Sequence, residues 1–253
     1  PAEKGSWSLV SEPILLGLLA APSWAGAALA VGAFAMFLCN RPLKVILADR
    51  RRGRTYERTA LARRYLTLYS LLALAGFAGG VAPGRWPPLP PPAPAPPALA
   101  LLAFYDQRPG RSWQAELAAP VAFAAIVAAM ALADGWAWPP ALGLWGFMIA
   151  RAVPAVLFIR ARLRLDKAQP AAPGESLAAV LFAHLLAVAA VAGLVWLGGL
   201  PWLALVAAVL LLARALWGLS AWRGRISVIA LGFLETGFGL LAVLLVAIGY
   251  WIG

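Results

Sequence analysis

The sequence predicts an all-α, polytopic membrane protein with nine transmembrane helices, its N-terminus cytoplasmic and its C-terminus outside. Three observations carry that expectation. Of the 253 residues, 63% are hydrophobic and only 12% charged, against about 45–50% and about 25% in a soluble domain. The mean hydropathy is +0.82, and the apolar residues fall into runs of bilayer-crossing length. The basic residues gather in alternate connections between those runs. Disorder, fibrous repeats and a secreted disulfide scaffold are excluded by the same composition. Residues 1–253 read as one integral membrane domain.

A crossing needs about 20 predominantly apolar residues. The first candidate is Trp7–Ala21. It has a short apolar core like that of a signal peptide, but Glu12 interrupts the approach to it and another apolar segment follows at once. It reads as a retained helix. Pro22-Ser23 separates it from Trp24–Leu47, and Tyr56–Gly79 follows. The fourth, Pro97–Tyr105, emerges from a proline-rich stretch that reads as polyproline II. It is only about 15 Å long as a helix, and charge parity is what argues for its crossing. Ser112–Ala133 opens on a plausible N-cap serine. Trp138–Ile159 is expected to kink at Pro154, which lacks an amide donor. Ser176–Leu197, Pro201–Ser220 and Ile226–Ile252 complete the set, with Pro201 in a first turn that tolerates it. Gly79-Gly80 and Gly198-Gly199 read as helix ends. Gly232, Gly237 and Gly239 read as points of close helix contact.

Orientation follows from charge. With all nine segments crossing, 18 of the 21 Lys and Arg residues lie on one face, Arg85 alone on the other, and Arg151 and Arg214 within helices. Basic residues mark the cytoplasmic side. The net charge of +11 is thus a matter of topology and anionic headgroups, with no nucleic acid implied. Tryptophan agrees: Trp24, Trp86, Trp136, Trp138, Trp196, Trp202 and Trp251 fall near one boundary, and Trp7, Trp113 and Trp222 near the other, as interfacial belts do. Trp145 and Trp217 read as core. The lone Cys39 reads as a buried inert thiol, and with one histidine no metal cluster is indicated.

The loop Ala48-Asp49-Arg50-Arg51-Arg52-Gly53-Arg54-Thr55 is dense in arginine. Topology and headgroup attraction explain it; so does a phosphate site, because the guanidinium fork matches phosphate oxygens. Arg160, Arg162 and Arg164 form a second group on the same side, with Arg160 and Arg164 on one helix face. Glu116 is either an ion-pair partner of Arg108 or Arg111, or a carboxylate facing a cavity. Deeper down, Arg151, Arg214, Glu235 and His184 each lie nine or ten residues from a cytoplasmic boundary residue. That places four ionisable groups about 14–15 Å deep. Charges at that depth are costly and must pair or line a wet cavity. One shared cavity is expected, with Glu235 the counter-ion of Arg214 or Arg151. Arg151 and Arg214 would hold an anionic group, while Glu235 and His184, the catalytic candidates, orient it or move a proton. Arg41, Arg63, Arg64, Glu116, Arg160 and Arg164 would bind ligand nearer the mouth. No metal ligand set and no cofactor is indicated.

The opening Pro1-Ala2-Glu3-Lys4-Gly5-Ser6-Trp7, with Pro13 following, resembles the start of the bacterial YwiC-like membrane proteins, whose pattern is Pro-x-Glu-His-Gly-Ala-Trp. Lys4 replaces the histidine and Ser6 the alanine, so no role of that histidine carries over. The resemblance implies a multi-pass protein of the bacterial cytoplasmic (inner) membrane and no assigned reaction. The inferred layout is also similar to that of the UbiA-type intramembrane prenyltransferases, with nine helices and a cavity capped by the loops after helices two and six. Those enzymes hold magnesium on a diphosphate with two aspartate-rich motifs; the corresponding loops here offer Asp49 and Glu57, and Asp166.

The function expected from the sequence is recognition of an anionic, phosphate-bearing or lipid-like ligand in a cytoplasm-facing intramembrane cavity, with a UbiA-like transferase as one form of it. The alternatives are a small-solute transporter or exporter, and a membrane assembly factor. A reporter fused at Gly253 should read as extracytoplasmic and one in the 50–54 loop as cytoplasmic. A cytoplasmic C-terminus would remove one of the nine crossings.

Overall fold

The computed structural model describes residues 6–53, 56–82, 113–170 and 176–253. Within them are eight helices: α1 (Ser6–Ala20), α2 (Trp24–Arg51), α3 (Glu57–Val81), α4 (Trp113–Ala133), α5 (Trp138–Asp166), α6 (Leu177–Trp196), α7 (Trp202–Leu219) and α8 (Val228–Ile252). No strand occurs among the described residues. Six helices, α2, α3 and α5 to α8, are long and apolar enough to cross a membrane; α1 and α4 carry shorter apolar stretches, Val10–Ala20 and Pro120–Ala133. The chain is a multi-pass, all-helical membrane protein. The expected crossing Pro97–Tyr105 lies outside the described residues.

Several ends are set by local chemistry. The hydroxyls of Ser23, Ser176 and Ser227 accept from the amides of Gly26, Ala179 and Ala230 at 3.0, 3.2 and 3.1 Å, satisfying donors that have no partner in the first turn. Two helices outrun their apolar segments: α2 continues to Arg51 and α5 to Asp166. Arginine, lysine and leucine are good helix formers, so the end of hydrophobicity does not end the helix.

Helices α1, α4, α5, α6, α7 and α8 close a ring, each packed on the next and α8 back on α1, while α5 also touches α7 and α8. The α2–α3 hairpin is attached to this ring through α2, which packs on α4 and α1. One rim collects aromatic side chains. There Trp251 Nε1 donates to the Leu19 carbonyl at 2.8 Å, Tyr250 Oη to the Gly199 carbonyl at 3.0 Å, and the Trp136 and Tyr250 rings lie 4.9 Å apart. Trp24 and Trp196 stand 94% and 86% exposed. The opposite rim collects arginine. Both Val81, at the end of α3, and Ala133, at the end of α4, lie toward the tryptophan rim, since Gly80 and Met130 meet the first turns of α2.

Two expectations are corrected. Trp217 is 70% exposed and faces outward, whereas Trp145 is half-buried and donates Nε1 to the Val121 carbonyl at 3.1 Å. Cys39 is half-buried, 3.8 Å from the Ser70 hydroxyl.

The core is built largely from alanine, valine and leucine in two apolar clusters within the ring. The larger contains Leu16, Leu132, Leu144, Phe147, Val191 and Leu211. The smaller contains Phe158, Ala161, Val180, Ala215, Leu219 and Leu231. Between α2 and α3 the backbones touch: a Cβ at Gly76 would lie 2.5 Å from the Gly32 amide nitrogen and 2.7 Å from the Ala28 carbonyl oxygen. Small residues are what let membrane helices pack this closely. Gly76→Val should lower stability by about 1–3 kcal/mol through overpacking, read as a drop in melting temperature in detergent. Gly237→Ala, with nothing within 4 Å of the new methyl, should not.

Candidate functional site

Five ionisable side chains from five ring helices meet between the two apolar clusters. They are Glu12 of α1, Arg151 of α5, His184 of α6, Arg214 of α7 and Glu235 of α8, each 2–8% exposed. On each of α5 to α8 the polar residue is flanked by members of both clusters, as Arg151 is by Met148 and Phe158. The charges thus form a thin layer between apolar blocks.

Arg151 Nη2 donates to Glu12 Oε1 at 2.7 Å and to the backbone carbonyl of Glu235 at 3.2 Å. Arg214 Nη1 donates to Glu235 Oε1 at 2.5 Å, and its guanidinium lies over the Phe158 ring, 4.2 Å from the centroid, a favourable placement for a desolvated cation. Glu235 therefore touches both arginines. His184 Nδ1 lies 2.8 Å from the Val180 carbonyl. A carbonyl only accepts, so Nδ1 carries the proton and Nε2 is left as an acceptor. Among the described residues four buried side-chain atoms have no hydrogen-bond partner: Arg151 Nε, Arg214 Nε, His184 Nε2 and Glu235 Oε2.

A small cavity borders the layer, lined by Phe147, Ala150, Arg151, Pro154, His184 and Leu211. It has room for roughly one water molecule. Pro154 has no amide hydrogen, so the Ala150 carbonyl one turn earlier lacks its helical donor and is a further acceptor there. Gly239 of α8 makes the ion pair possible, because a Cβ at that position would collide with Arg151 Nη2 and Glu12 Oε1. Gly232 and Gly237, expected at close contacts, face open space instead.

The structure brings Arg151, Arg214, Glu235 and His184 together, with the last three nearer their helix ends than the residue count gave. Arg214 lies five residues from the end of α7, and Glu235 and His184 seven from the starts of α8 and α6. That is about 7–11 Å from the arginine rim. For Arg214 and Glu235 the count applied a helical rise out to Arg223 and Arg225, and residues 220–227 are not helical. Arg41, Arg63 and Arg64 stand exposed on the hairpin, and Arg160 and Arg164 half-buried on the last turns of α5, all outside the five-residue layer. The Glu116 side chain lies outside the described residues. Glu12 was missed: it was read only as an interruption of an apolar run, although the rule that condemns an unpaired charge in a membrane helix applied to it as well.

Arg162 was also passed over in favour of its neighbours. It is 4% exposed, bonds Asp166 at 3.0 Å and the Gly218 carbonyl at 2.7 Å, and also donates to the Gly224 carbonyl. Arg223 lies 3.9 Å from the same Asp166. Asp49 accepts from Arg58 Nη2 and from the Thr59 hydroxyl, both at 2.6 Å, closing the α2–α3 turn. The aspartates of both loops are thus engaged by arginine. Among the described residues no group of three or more His, Cys, Asp or Glu is placed to hold a metal ion.

The model of the YwiC-like protein family matches residues 1–131. The chain belongs to the YwiC-like family. No curated protein and no solved structure matches it. The matched part of this YwiC-like protein supplies Glu12, while the other four members of the layer lie beyond it.

Removing one partner strands a buried charge. Arg151→Met should therefore destabilise the protein by about 3–5 kcal/mol. The double variant Glu12→Gln/Arg151→Met should recover much of that loss, as read by thermal unfolding in detergent. Equal melting temperatures for the single and double variants would mean that the two residues are not coupled.

Proposed function

We propose that this YwiC-like membrane protein recognises the anionic group of a ligand at the Arg151–Arg214 pair, approached from the arginine-rich, cytoplasmic face of the bacterial inner membrane. One observation carries the reading. Two buried arginines on different helices each bond a single glutamate while keeping an unpartnered Nε, beside a cavity bordered by His184. Guanidinium groups are matched to carboxylate and phosphate, and unbonded donors in an apolar setting favour such a guest. Glu235 and His184 offer acceptors that orient the ligand or move a proton. Arg41, Arg63, Arg64, Arg160, Arg164 and Glu116 would form the approach. With room for about one water, the layer receives the charged end of a ligand, whether a small solute or the head of a lipid-like molecule. A magnesium-dependent transferase of the UbiA type is less favoured, because Asp49 and Asp166 are committed to arginine.

A small-solute transporter is the second reading. The feature favouring it is the pair of apolar blocks, Leu16, Leu144, Phe147 and Val191 on one side and Phe158, Leu219 and Leu231 on the other, that cover the layer toward both rims, as an occluded carrier requires.

Protein extracted from membranes into nanodiscs should carry an anionic metabolite or lipid detectable by mass spectrometry. Arg214→Gln should reduce its occupancy by about tenfold or more, while Arg51→Gln, at an exposed position, retains it. Undiminished occupancy in Arg214→Gln would refute the assignment.

A further inference from the structure

We propose that the site takes up its anion together with one proton, and that Glu235 receives that proton. The inference rests on the reading of Arg151 and Arg214 as an anion site and adds what must accompany the anion.

The argument begins with a charge count. Arg151 and Arg214 contribute two positive charges, Glu12 and Glu235 two negative ones, and His184, donating from Nδ1 to a carbonyl, is neutral. These are the charged and titratable groups of α1, α5, α6, α7 and α8 that meet in the layer. The layer is neutral and lies between two apolar clusters. A monovalent anion entering alone would leave an uncompensated buried charge, which a medium of low dielectric strongly opposes. One proton arriving with it restores neutrality.

Glu235 is the member built to take that proton. Its Oε1 accepts from Arg214, but its Oε2 has no partner, so a proton can be placed there without breaking an existing bond. Its backbone carbonyl is held by Arg151, which keeps the residue between the two arginines whatever its charge. Glu12 is less suited, since it is the one carboxylate bonded to Arg151, packed in the gap left by Gly239. Once neutral, Glu235 is a weaker acceptor for Arg214. Arg214 Nη1 and Nε are then available to the guest, and the new hydroxyl donates to it. The balance is simple: X⁻ and H⁺ enter, the carboxylate becomes a carboxylic acid, and no other covalent bond changes. Both arginines already bind carboxylates in this arrangement, so the favoured guest is a small monocarboxylate or an anion of similar shape and single charge.

The test uses the full chain in lipid nanodiscs, titrated calorimetrically with sodium acetate, and separately with sodium nitrate, in two buffers of different ionisation heat. Wild-type protein should take up about one proton per anion bound, with affinity falling about tenfold per unit rise in pH across the neutral range. Glu235→Gln should bind the anion with no proton uptake and with an affinity nearly independent of pH. Binding to the wild type without proton uptake overturns the proposal and leaves the anion site standing; that measurement needs no variant to fold. Proton uptake undiminished in Glu235→Gln overturns the assignment to Glu235. No binding of either anion by folded wild-type protein overturns the anion site itself, and this inference with it.

Discussion

A charge surrounded by hydrocarbon has to be answered by another charge, and the ring of six helices is arranged around that requirement. Glu12, Arg151, Arg214 and Glu235 form two ion pairs, joined where Arg151 also reaches the backbone of Glu235. The first pair links α1 to α5 and the second links α7 to α8. The surrounding composition follows from it. Alanine-rich faces bring the helices close enough for short side chains to meet, and Gly239 leaves the volume that the first pair occupies. Pairs of this kind give less stability than an apolar layer of the same shape; what they do is penalise any register that strands a charge.

Arginine does three different jobs in this chain, separated by depth. In the layer, Arg151 and Arg214 are nearly dry and bonded to carboxylates. At the rim, Arg162 is equally buried but bonds backbone carbonyls of the last turn of α7 and of the α7–α8 connection as well as Asp166, so it fastens a turn. On the α2–α3 turn, Arg58 is exposed and fixes a buried aspartate. The remaining rim arginines give the basic side of the protein its field. A plain count of positive charge cannot tell these jobs apart, because burial and partner decide them.

Most of the architecture was legible because a bilayer imposes a simple length and polarity code. Eight of the nine expected segments coincide with described helices, and the serine caps at Ser23, Ser176 and Ser227 lie where the first-turn amides need an acceptor. Helix ends were less legible. Apolarity stops at Leu47 and Ile159, but helix propensity carries α2 and α5 onward. The meeting of Arg151, Arg214, Glu235 and His184 could be expected from spacing, since charges at one depth on several helices have few places to go. Glu12 was not found, because its segment was judged by where its apolar stretch ends. Arg162 was not found either: helical spacing pairs Arg160 with Arg164 but does not say which face of α5 turns inward. That depends on the neighbouring helices.

The bond between Glu12 and Arg151 joins residues 139 apart in sequence. A ribosome adding about 5–20 residues per second delivers α1 to the membrane several seconds before α5 exists. During that interval Arg151 is not yet there to meet the glutamate, and other groups, water, headgroups or the insertion machinery must accommodate it. The ring therefore cannot be completed in the order in which it is made. Its earliest helix must wait near the interface, or be held there, until α5 arrives and draws it into place.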